Sequence, residues 1–187
     1  MDPRPVLPPD ESQLPPRHAY VPGGAPHPTA DPAGHSFGLP EPEASGLDPA
    51  RWRDNEAYLF GVDLFNRGYY WEAHEAWESV WHACNRTTAP GLFVQGLIQI
   101  AAALLRWHMG TERGAQKLYA EGRDKLEWVR GEVGCDWMGI DLDGWLAELE
   151  AQFAALLTWP DATPALPVIR LAVRGHLPTA AGKARHP

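Results

Sequence analysis

The chain has 187 residues, 44% of them apolar, nine tryptophans and a formal net charge of −8. That length suits one domain with tails, and that apolar share is enough for a buried core. An acidic chain is a poor electrostatic match for a phosphate backbone, so composition argues against nucleic-acid binding. Two cysteines, Cys84 and Cys135, are too few for a fold stapled by disulfides. The first residues, MDPRPVLPPDE, have neither the basic start nor the apolar run of a signal peptide, which points to a cytoplasmic protein with free thiols.

Residues 1–47 hold twelve of the nineteen prolines and little apolar surface. Proline removes amide donors, and so few apolar groups cannot offset the entropy of ordering, so this arm is predicted to be disordered. All nine tryptophans fall between Trp52 and Trp159, which places the folded domain at 48–160. Asp48 followed by Pro49 reads as the cap and first residue of a helix running to about Asn66, stopped by Arg67 and Gly68. A second helix follows at once, from Tyr70 to Ala83, so the pair should fold as an antiparallel hairpin.

The stretch GLFVQGLIQIAAALLRWHM, Gly91 to Met109, is apolar almost all the way round at roughly 100° per residue. It reads as the central helix of a bundle rather than a membrane span, because Gln95, Gln99 and Arg106 interrupt it along one narrow polar stripe. An amphipathic helix follows over Glu112 to Arg130, facing inward with Ala115, Leu118, Tyr119, Gly122, Leu126 and Val129. Residues 131–142 read as irregular. A last helix, capped by Asp141 or Asp143, carries Trp145, Leu149, Phe153 and Leu156 inward to about Thr158. The prolines beyond it make 161–187 an irregular tail, in which Val168 to Val173 is the piece apolar enough to lie back on the bundle. The fold class is all-α: a single compact bundle of about five helices.

The second helix, YWEAHEAWESVWHA, is the chemically densest stretch. Ala73, Trp77, Val80 and Trp81 share its core-facing arc, and His74, Glu78 and His82 lie beside that arc, each four residues apart. Two functional readings follow. In the first, His74, Glu75 and Glu78 answer the polar stripe of the central helix, so that with Gln95, Gln99 and Arg106 they form a buried hydrogen-bonded network in a non-catalytic binding or protein-interaction domain. In the alternative, the same His74, Glu75 and Glu78 build a metal or small-ligand site, hydrolytic in one version. His74 and Glu78 have the i, i+4 spacing that grips one ion from one helix face, with further ligands to come from Glu56 or Asp63. His82 rises roughly 12 Å above His74 and cannot share that ion.

The segment HEAWE lacks the second histidine of the zinc-protease pattern, and Trp71 stands where a di-iron bundle would need glutamate. No specific motif indicates a cofactor, and the motifs of nucleotide binding and of serine hydrolases are missing. Cys84 sits at a helix C-terminus, where the dipole opposes a thiolate. Trp71, Trp107, Trp128 and Trp137 are candidates for exposed anchors of a protein partner or a homo-oligomer.

Three segments carry a family resemblance: FNRGYYWEAHEAWESVW at Phe65 to Trp81, GLIQIAAALLRWHMGTERGAQKL from Gly96, and GIDLD at Gly139 to Asp143. Together they resemble the domain of unknown function 309 family over roughly Asn55 to Leu157. The resemblance implies a compact all-helical domain found mainly in bacteria and brings no established reaction, substrate or cofactor. His82 stands where that family's pattern suggests a basic residue such as arginine.

Overall fold

A computed structural model describes Pro16 and residues 19–39, 44–158 and 167–171. Among these are five helices, α1 Glu56–Asn66, α2 Tyr70–His82, α3 Ala89–His108, α4 Glu112–Val133 and α5 Leu142–Thr158. Between α4 and α5 lies a two-stranded antiparallel hairpin, β1 Asp136–Trp137 and β2 Ile140–Asp141. The architecture is the expected all-α bundle, with two local departures.

The first departure is at the start. Asp48 caps a turn, not α1: its Oδ1 accepts from the Ala50 N–H at 2.9 Å, and a short 3-10 helix over Trp52–Asp54 follows. Asn55 is the actual N-cap, its Oδ1 taking the Tyr58 N–H at 2.9 Å while its Nδ2 donates to the Ser45 carbonyl. The end is as the sequence suggests. Gly68 has φ +81, and the Tyr69 N–H reaches back to the Leu64 carbonyl, closing α1 and reversing the chain into α2.

The second departure is the stretch expected to be irregular. Met138 and Gly139 both have positive φ, 49 and 80, which is the backbone of a two-residue hairpin turn. The turn is held from outside. The Trp52 ring lies against Gly139 where any side chain would collide, and the Tyr58 hydroxyl donates to the Met138 carbonyl at 2.9 Å. Asp141 then caps α5, its Oδ1 accepting from the Gly144 N–H at 3.1 Å.

Helix α3 is the centre. Phe93, Val94, Leu97, Ile100, Ala101 and Ala103 have no exposure at all, and α2 and α4 cover it from two sides. It is the one helix among the described residues long and apolar enough to cross a membrane, and here its apolar sides are buried by protein. Two contacts set the spacing of its neighbours. Trp77 of α2, fully buried, lays its indole on Gly61 of α1 and donates Nε1–H to the Tyr58 carbonyl at 3.1 Å. On the other side α3 and α4 meet at glycines. A Cβ on Gly96 would stand 2.7 Å from Leu126 Cγ, and one on Gly122 would stand 3.0 Å from the Gly96 carbonyl oxygen.

Part of the N-terminal arm is laid on the bundle. Residues 19–39 form successive turns, with the Ser36 N–H bonded to the Pro28 carbonyl. Tyr20 is buried, packed edge-on with His27 and Trp71 at ring separations of 5.3 Å to each. That aromatic contact supplies the apolar burial that proline-rich composition alone does not reveal. The disorder expected for 1–15, 17, 18 and 40–43 lies outside the described residues, as do 159–166 and 172–187 of the expected tail. Residues 167–171 lie back on the bundle, with Ile169 buried.

Three substitutions test this packing. Gly96→Ala should lower stability in chemical denaturation, because overpacking against Leu126 costs about 1–3 kcal/mol while the gain in helix propensity is about 1 kcal/mol. Gly131→Ala, in open space on α4, should gain up to about 1 kcal/mol. Tyr58→Phe should cost about 1–2 kcal/mol by leaving the Met138 carbonyl without its donor, again read from denaturation midpoints.

Candidate functional site on helix α2

Helix α2 divides its side chains between two environments. Tyr70, Ala73, Trp77 and Val80 point into the core, and His74, Glu75, Glu78 and His82 line the outer side. His74 Nδ1 stands 3.2 Å from Glu75 Oε1 and 3.9 Å from Glu78 Oε2, and His82 Nε2 stands 3.8 Å from Glu78 Oε1. The side chains of His74, Glu75 and Glu78 retain 28%, 43% and 38% exposure, so water reaches all three. One ligand atom from each of the three can be chosen so that all lie within 4.8 Å of one another. That is the separation at which an imidazole nitrogen and two carboxylate oxygens can close on one divalent ion with small rotamer changes.

The expected partners from α3 are elsewhere. Gln99 donates Nε2–H to Glu121 Oε2 of α4 at 2.9 Å, and its Oε1 is buried with no partner among the described residues. Arg106 is exposed, its stem beside Gly114 in the first turn of α4. Gln95 is half-buried, one turn before Gln99. The reason is the close approach at Gly96 and Gly122, which turns that side of α3 toward α4. The single network joining His74, Glu75 and Glu78 to Gln95, Gln99 and Arg106 is therefore not formed. Helix α1 adds nothing to the triad either: Asp63 pairs with Arg67 at 2.9 Å, and Glu56 is exposed at the start of its helix.

Two charged groups escaped the sequence reading. Glu121 sits beside Gly122, so the same close approach that admits α3 carries its carboxylate to Gln99. Glu72 is the larger omission. At 6% exposure it is the one buried charged residue of the described chain, and its Oε1 accepts from the Tyr20 N–H at 2.8 Å and faces His35 Nε2 at 3.4 Å. Burial pushes its carboxyl above the usual carboxylate range, against the opposing pull of backbone N–H groups and of His35. No local signal could have marked it, because Tyr20 lies 52 residues away. The tryptophans expected at the surface divide. Trp128 is 47% exposed, and Trp71, Trp107 and Trp137 are half-buried, Trp71 with Tyr20 and His27 packed edge-on against it. Cys84 is half-buried and accepts the Leu47 N–H through Sγ, a packing role.

The fold and the site define a small helical bundle with a partly exposed imidazole and carboxylate face on its second helix. Residues 58–118, from α1 into α4, match the family model described as Domain of unknown function (DUF309). No curated protein matches the chain.

The environment of Glu72 makes a pH prediction. A carboxyl whose pKa is raised by folding contributes stability that is full below its unfolded value and is lost as pH rises through the folded one. Glu72→Gln removes that dependence while keeping an acceptor for the Tyr20 N–H. Relative to wild type, the variant should therefore melt at a higher temperature at pH 8 than it does at pH 4, read by thermal denaturation at the two pH values. An equal difference at both would mean that Glu72 is hydrated in solution.

Proposed function

We propose that this is a binding domain whose α2 face takes one divalent transition-metal ion through His74, Glu75 and Glu78. The observation that carries this reading is the convergence of one nitrogen and two oxygens within 4.8 Å on a single helix. A histidine with two carboxylates is a ligand set suited to Zn²⁺ or Mn²⁺. The open position supports binding over catalysis. All three ligands lie in water, and a hydrolytic centre gains most of its power from a walled, water-excluding site.

Binding requires His74 to be neutral, since its ring nitrogen must offer a lone pair. It also requires the carboxylates to give up their present contacts with the imidazole nitrogen. Protons compete with the metal for the same lone pairs, so affinity should fall as pH drops.

Calorimetric titration of chelator-treated full-length protein with ZnCl₂ and with MnCl₂ tests the proposal. The expected result is one ion per chain for at least one of the metals, with affinity lowered about tenfold or more in His74→Ala and in Glu78→Ala. His82→Ala should change it far less, because that ring is 59% exposed and one turn beyond Glu78. Unaltered binding in His74→Ala would overturn the assignment.

A further inference from the structure

The segment Pro167 to Leu171, PVIRL, meets the bundle in a way that differs from the rest of the chain. Asn66, the last residue of α1, holds its backbone with both halves of the side-chain amide. Nδ2 donates to the Ile169 carbonyl at 2.9 Å, and Oδ1 accepts the Ile169 N–H at 2.8 Å. The Ile169 side chain is buried in the main core at 2% exposure, and Leu171 packs against the same cluster. Arg170 turns outward and pairs through Nη1 with Glu148 Oε2 of α5 at 2.9 Å.

A paired bond to one residue's N–H and C=O, a buried aliphatic side chain and a charge read by a carboxylate are together the means by which one protein recognises a linear segment of another. None of these contacts depends on the segment being joined to α5, from which residues 159–166 separate it. We propose that the cleft between the end of α1 and α5 is a peptide-acceptor site. It selects an aliphatic residue followed by arginine, and it takes the PVIRL segment from a second copy of this chain as well as from its own. Every contact is the same in either case. The chain's own segment is favoured by the high effective concentration that a short tether gives, on the order of millimolar. Exchange between copies appears where that local segment is disabled.

Two full-length variants and one peptide test this. Ile169→Asp disables the segment and leaves the cleft intact, whereas Asn66→Ala weakens the cleft and leaves the segment intact. A fluorescent peptide of residues 165–173, ALPVIRLAV, should bind Ile169→Asp saturably. Adding Asn66→Ala to the protein, or placing glutamate at the arginine of the peptide, should weaken binding about tenfold or more. An equimolar mixture of the two single variants should form heterodimers by light scattering at concentrations where each alone is monomeric. The proposal is overturned if the peptide does not bind a folded Ile169→Asp chain. It is equally overturned if the mixture stays monomeric at about millimolar chain concentration, where a second copy's segment competes evenly with the tethered one. Hydrogen exchange of the wild-type chain provides a reading that does not rely on either variant folding. The Ile169 amide should exchange at least about a hundredfold faster than that of Ile100 in α3, because the segment is released without global unfolding. Equal rates would make the segment an integral part of the core and sink the idea.

Discussion

A helix as apolar as α3 is stable in water only when neighbours cover nearly its whole circumference, and the molecule is arranged to supply that cover. Helix α2 lies on one side and α4 on another, and α4 comes close because bulk has been removed at its contact with α3. Gly96 and Gly122 let the α3 and α4 backbones approach, and Gly61 lets the Trp77 indole lie flat on α1. The position of α2 is thus fixed from its buried side. Its outer side, with His74, Glu75 and Glu78, inherits a rigid platform that its own exposed residues could not provide.

The main helices were legible because their physics is local. Apolar recurrence along α3, α4 and α5, a glycine with positive φ after α1, and an aspartate before α5 each leave a signature within a few residues. The pairing of His74 with Glu78 was legible for the same reason, since i and i+4 on one helix are neighbours whatever surrounds them; Glu75 joins them because its Oε1 reaches His74 Nδ1 at 3.2 Å. What the residues could not convey is azimuth. The polar stripe of α3 was identified correctly, but which neighbour it faces depends on the Gly96 and Gly122 contact, whose partners lie 26 positions apart. Gln99 therefore meets Glu121, while the histidine and glutamates of α2 stand apart from it. The same blindness to distance hid the Tyr20 contact with Glu72 and made Asp48 look like the start of α1 instead of the turn before it.

The two ends of α2 have different characters as a result. Around Trp71 and Glu72 the N-terminal segment adds aromatic rings, a backbone donor and His35, so that a carboxylate is taken out of water. One turn further along, the carboxylates of Glu75 and Glu78 remain wet and share an imidazole. Burial suits a group that holds the chain together, and exposure suits one that must exchange its partner for an ion. The sequence EAHE places both kinds within four residues.

Met138 shows where local and global preference diverge. Its left-handed backbone, φ 49, is one that asparagine or glycine adopts at least strain, and an ordinary side chain there costs roughly 1–2 kcal/mol. Yet its side chain is 97% removed from solvent, as a 3% residual exposure implies, and its carbonyl holds the Tyr58 hydroxyl. Residues that relax the turn would vacate the core, and residues that fill the core distort the turn. The hairpin tip is a point of built-in frustration, and a swap there that looks conservative by hydrophobicity, such as methionine to a β-branched valine, would be resisted by the main chain rather than by its neighbours.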